Sequence, residues 1–120
     1  MLLLIKFLIG FCALEHIYIL WLEMFAWTTR APKVFKQLSA HLFEPTKTLA
    51  GNQGLYNGFL AAGLIWSFFI DDAKWSSNVA TFFLACIAVA GIYGALTAGK
   101  RIFFVQALPA IITLILIILQ

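Results

Sequence analysis

The stretch Leu2-Leu3-Leu4-Ile5-Lys6-Phe7-Leu8-Ile9-Gly10-Phe11-Cys12-Ala13-Leu14-Glu15-His16-Ile17-Tyr18-Ile19-Leu20-Trp21-Leu22-Glu23-Met24-Phe25-Ala26-Trp27 is long and apolar enough to cross a bilayer, yet it holds Glu15, His16 and Glu23. A charged side chain at the centre of a spanning helix costs about 2.5–3.5 kcal/mol on insertion scales, so such groups face a bundle interior or a cavity and mark a candidate site. The first helix therefore decides both the fold and the place to look for function.

The rest of the chain agrees with a membrane reading. Of 120 residues, 63% are hydrophobic and only 11% charged, and the mean hydropathy is +0.99, against about 25% charged residues in soluble domains. The segments 49–70, 77–97 and 102–119 join 2–27 in supplying the roughly 17–25 residues a spanning helix needs. The expected fold is an all-α, integral membrane four-helix bundle, one transmembrane domain over 1–120, with a short amphipathic interfacial segment between the first two helices. That segment lies within Thr28–Thr48, where Val34, Phe35, Leu38, Leu42 and Phe43 recur at near-helical spacing; a solvated basic connector is the alternative. The first apolar run continues through Trp21 and Trp27 without a small-residue cleavage site, so a retained helix is expected in place of a cleaved signal.

The net charge is +3, and its distribution sets an orientation. Arg30, Lys33, Lys36 and Lys47 fall between the first two helices, Lys100 and Arg101 between the last two, while Lys6 and Lys74 lie towards the other side. The positive-inside rule puts the richer loops in the cytoplasm and both termini outside, in the cell's inner (plasma) membrane. Membrane lipids are the expected partners of this basic face, with no role for nucleic acid.

Cys12 and Cys86 form no Cys-x-x-Cys pair, and the expected role of each is that of a small buried residue. Only His16 of the two histidines lies in a spanning segment, too few for an ordinary zinc or haem site, so no metal or cofactor is expected. Gly54 and Gly58 with Ala62, and the Ala90-Gly91-Ile92-Tyr93-Gly94-Ala95 run, offer small-residue faces, so helices two and three are expected to make the tight contacts. Pro109 predicts a kink near Ala107–Pro109.

His16 and Glu23 are seven residues apart and share a helix face, with Glu15 to one side. Asn52, Gln53, Tyr56 and Asn57 enter the second helix from the same side of the membrane, Tyr93 ends the third, Gln106 lies one turn into the fourth, and Trp27 closes the first. If these groups converge, they build a polar intramembrane pocket opening to the cytoplasm, with Glu23 at its mouth, His16 deeper, and Glu15, His16 and Glu23 as candidates for proton transfer. Two functions fit this arrangement: a proton-coupled transporter of a small or lipophilic compound, and an intramembrane enzyme or binding protein for a lipophilic molecule using His16 and Glu23. A structural accessory subunit, its polar residues fixing helix register, is the third. A small lipophilic ligand and a homodimer are the remaining expected partners.

The motifs Ala13-Leu14-Glu15-His16-Ile17-Tyr18, Leu22-Glu23-Met24-Phe25-Ala26-Trp27, Asn52-Gln53-Gly54-Leu55-Tyr56-Asn57-Gly58-Phe59-Leu60-Ala61-Ala62-Gly63, Ala90-Gly91-Ile92-Tyr93-Gly94 and Phe104-Val105-Gln106-Ala107-Leu108-Pro109-Ala110 run through almost the whole chain. In them the chain resembles the small bacterial membrane proteins of domain of unknown function one-three-zero-four. The resemblance implies a four-helix membrane fold; it implies no particular activity.

Overall fold

The computed structural model describes residues 1–120 and is all α, without strands. Its helices are α1 (Leu2–Phe25), α2 (Ala31–Val34), α3 (Lys47–Ser67), α4 (Ala73–Thr97) and α5 (Leu108–Leu119). Of these, α1 and α4 are long and apolar enough to cross a membrane. The four longer helices pack in a ring: α1 touches α3 and α5, and α4 touches α3 and α5. The molecule is elongated, 47 × 25 × 18 Å. Its core is a column of Cys12, Leu64, Leu84, Ile87 and Ala110, all shielded from solvent.

Local chemistry moves the helix ends from the expected positions. The first helix stops at Phe25 instead of Trp27, where the Ala26 N–H reaches back to the Trp21 carbonyl and the chain turns. The second long helix ends at Ser67, before Ile70, through tight turns in which Phe68 and Phe69 donate to Ile65 and Trp66. The next begins at Ala73, not Ser77, because Asp72 caps it, its Oδ1 accepting from the Trp75 N–H at 2.8 Å.

The connector does not form one amphipathic helix. It is a single turn, α2, ended where Phe35 leaves the helical backbone at φ −91° and ψ 68°, followed by a separate 3₁₀ turn over Ala40–Leu42. It folds back on an aromatic cluster. Trp27 lies 5.7 Å from Phe35 and 4.9 Å from Phe43, ring centre to ring centre, and its Nε1–H donates to Thr46 Oγ1 at 3.0 Å.

Pro109 does not produce a simple kink. The chain takes a π-helical turn over Phe103–Ala107, in which the Leu108 N–H bonds the Phe103 carbonyl. Pro109 follows directly, in the first turn of α5, where it donates no N–H to the continuing ladder.

The small residues serve three different seams in place of one. A Cβ added at Gly54 would stand 2.7 Å from Met24 Cγ and 2.9 Å from Glu23 Cβ, so this glycine lets α3 approach α1. Gly58 faces Leu20 of α1, whereas Ala62 is exposed and does not extend the row. Gly63 accommodates Phe83 of α4, and a Cβ at Gly91 would stand 2.7 Å from the backbone nitrogen of Ala107. The tightest pairing of long helices is thus α1 with α3, and α4 receives the π turn of the last segment.

Candidate functional site

A helix turns about 100° per residue, so Glu15 and Glu23 project some 80° apart. The fold gives that angle a consequence: the two carboxyl groups serve different seams.

Glu23 turns towards α3, where it is largely buried and its Oε1 accepts a 2.6 Å hydrogen bond from Asn57 Nδ2. The same amide nitrogen donates to the Gln53 carbonyl at 3.2 Å. Gly54, one turn before Gly58 and three residues before Asn57, removes the bulk that would hold α3 away. This is a satisfied contact within a helix–helix seam, and Glu23 does not border the cavity that Glu15 lines.

His16 is the most enclosed of the three, with 1% of its surface exposed. Its Nδ1 lies 2.8 Å from the Cys12 carbonyl oxygen. A carbonyl can only accept, so Nδ1 carries the proton, and in the neutral ring Nε2 holds the lone pair. His16 does not border the cavity that Glu15 lines.

Glu15 faces the other seam. With Tyr18, Ile19 and Leu22 it forms one wall of a cavity of about 350 Å³. The connector supplies Val34, Phe35 and Gln37, and the start of the last helical segment supplies Arg101, Ile102, Val105 and Gln106. Glu15 Oε2 is buried without a hydrogen-bond partner. Buried polar atoms are nearly always paired, and one left unpaired costs about 1–3 kcal/mol. Glu15 lines the cavity while its Oε2 is sealed off without a partner, so a small turn of the carboxyl that brings this oxygen to a ligand's donor gains more than a contact with an already paired group.

The π turn belongs to this site. Val105 and Gln106 sit within it and line the cavity, as residues of such wide turns often do at functional positions. Trp27 contributes from behind: it lies against Phe35, a wall residue, and is pinned to Thr46.

The expected convergence is therefore divided. Glu15 and Gln106 meet at the cavity; Glu23 and Asn57 meet at the α1–α3 seam; His16 lies in the core. Asn52 is exposed, its amide donating to the Thr48 carbonyl at 2.9 Å, and Gln53 is exposed as well. Tyr56 and Tyr93 point away from the interior. Both thiols are free, Cys12 buried and Cys86 partly so. No group of three or more His, Cys, Asp or Glu side chains could hold a metal ion.

Sequence reasoning missed Tyr18, Gln37 and Arg101 as cavity residues. The first was legible: Glu15, Tyr18 and Leu22 follow the three- and four-residue spacing of one helix stripe. The other two were not, because they arrive from a connector and a helix start whose folding back leaves no periodic signal.

A family model described as Protein of unknown function (DUF1304) matches residues 10–118. The chain is also similar to "Uncharacterized protein YpaA" of Lactococcus lactis subsp. lactis (strain IL1403), with 36% identity over 105 residues, covering 86% of this chain and 87% of the relative. No solved structure matches the chain. Glu15, Tyr18, Arg101 and Gln106 all lie inside the matched region, and the chain belongs to the DUF1304 family of proteins of unknown function.

Proposed function

We propose that this protein is a multi-pass, four-helix bundle of the plasma membrane, with both termini outside, whose α1 cavity opens to the cytoplasm and binds a small lipophilic molecule carrying a hydrogen-bond donor. The observation that carries the reading is that Glu15 lines an otherwise mostly apolar cavity while its Oε2 has no hydrogen-bond partner. Ligand sites of about 300–1,000 Å³ are typically apolar with a few placed polar groups, and a cavity of about 350 Å³ falls at the compact end of that range.

The membrane setting rests on the outward faces. Leu3, Leu96 and Ile118 are 82%, 81% and 79% exposed, and only 28% of the most apolar window of α1, and of α4, is buried. Apolar helices left this uncovered favour lipid as their surroundings over a water-soluble fold. The length of 47 Å suits a bilayer of roughly 40–45 Å with its headgroups. Arg30, Lys33, Lys36, Lys47, Lys100 and Arg101 gather at the end where the cavity opens, the end that the charge rule assigns to the cytoplasm.

The test is native mass spectrometry of the full chain released from lipid nanodiscs, comparing wild type with Glu15→Gln. The amide keeps the shape and one acceptor oxygen, replaces the other with an NH2 donor, and removes the negative charge that strengthens a ligand's hydrogen bond. Wild type should carry a bound small molecule that Glu15→Gln loses while its helix content stays the same; equal occupancy in both would refute the reading.

A proton-coupled transporter is the second reading, and one observation favours it. A cavity of about 280 Å³ lies towards the opposite end of α1, bordered by Ile5, Lys6 and Ile9 with Ser67, Asp71 and Ser76. Between the two cavities stand the small, wholly buried side chains of Cys12, Ala110 and Thr113. Substrate-dependent proton movement in sealed proteoliposomes, absent in Glu15→Gln, distinguishes carriage from binding.

A further inference from the structure

The inner cavity has a second polar feature besides Glu15. Arg101 lines the same space, and since Glu15 Oε2 has no partner, the guanidinium does not neutralise it. Gln37 stands with Arg101 at the cytoplasmic side, both exposed, while Glu15 lies deeper, near the middle of α1. Tyr18, Ile19, Leu22 and Val105 make the wall between them largely apolar. Along α1, the rise from Glu15 to Leu22 is about 10 Å at 1.5 Å per residue.

The cavity thus offers an acceptor at depth, an apolar middle, and a guanidinium with a neighbouring amide at the mouth. Arginine presents paired N–H groups that match a carboxylate or phosphate, and such charge-assisted bonds are about twice as strong as neutral ones. We infer that the ligand is a two-ended amphiphile: a hydroxyl or amine donates to Glu15, and an acidic group beyond the apolar stretch of wall is held by Arg101 with Gln37. This inference rests on the proposed cavity as a binding site and adds the chemical class of its ligand. The acidic end can belong to a free amphiphilic acid or to an anionic lipid, because the chemistry at Arg101 is the same.

The experiment measures binding of three probes to the full chain in phosphatidylcholine nanodiscs: ω-hydroxydecanoic acid, decanoic acid and decanol. The two-ended probe should bind at least about tenfold more tightly than either one-ended probe, a factor equivalent to about 1.4 kcal/mol. Arg101→Gln should reduce it to the affinity of decanol, and Glu15→Gln to that of decanoic acid. Repetition in phosphatidylglycerol nanodiscs separates the sources: loss of the Arg101-dependent gain there means that a lipid headgroup already occupies the mouth. If decanol binds through Glu15 but the acid adds nothing and Arg101→Gln changes nothing, the two-ended class is overturned and the binding cavity stands. If no probe binds wild type, both fall together.

Discussion

Substituting Gly54→Ala tests the packing on which the bundle rests. The new methyl carbon would stand 2.7 Å from Met24 Cγ, 2.9 Å from Glu23 Cβ and 3.1 Å from the Leu20 carbonyl oxygen. The methionine can swing aside, but Glu23 Cβ and the Leu20 carbonyl move only with the backbone of α1, so α1 and α3 must separate. Overpacking of this kind costs about 1–3 kcal/mol. Alanine gains about 0.5–1 kcal/mol over glycine within a helix. Separation also stretches the 2.6 Å bond from Asn57 to Glu23, and interhelical bonds in membranes average about 0.6 kcal/mol. The net expectation is a loss of up to about 3 kcal/mol, centred near 1.5 kcal/mol. Gly10→Ala and Gly51→Ala are the internal controls, because an added Cβ at either meets nothing within 4 Å, and each should gain up to about 1 kcal/mol. Reversible unfolding in mixed detergent micelles, followed by far-UV circular dichroism, measures all three. Gly54→Ala as stable as the two controls would refute the close-approach argument.

Glu15→Leu should raise stability by about 1 kcal/mol or more in the same unfolding assay, since it removes a buried acceptor without a partner, while abolishing retention of any co-purified ligand. Trp27→Phe keeps the aromatic cluster but loses the bond to Thr46, and should cost about 0.5–1.5 kcal/mol; proteolysis of the connector should quicken in parallel. In the folded protein a small membrane-permeant maleimide should label Cys86, which is partly exposed, well before Cys12, which is fully enclosed. Equal labelling by mass spectrometry would place Cys12 outside the core.

The all-α fold was legible because α1, α4 and the last segment are written as long apolar runs, a signal that needs no partner to be read. Helix ends were less legible: they depend on single bonds, such as Asp72 capping Trp75, that composition does not register. The candidate site was half legible. Periodicity set Glu15 apart from the His16–Glu23 stripe, but a stripe has no sign, and nothing in the spacing of α1 says which side meets α3. That choice is made by Gly54 and Gly58, whose missing side chains draw α3 against Glu23 and leave Glu15 to the other seam. Convergence of polar groups was a poor guide because position along the helix axes fixes only one coordinate. Tyr56 and Tyr93 come from the same end of the bundle as Asn57 yet face outwards.

The wide turn at Phe103–Ala107 closes its hydrogen bond one residue later than an ordinary turn, as the contact from Leu108 to Phe103 records. It therefore accommodates one residue that an uninterrupted helix would not need. Deleting a single residue there, Phe104 for example, should let the segment close as regular α-helix while Ala110 and Thr113 keep facing the core, so the chain should still fold. A frame-preserving loss that leaves the bundle intact but reshapes the wall bearing Gln106 would mark this spare residue as an insertion kept for the cavity's sake.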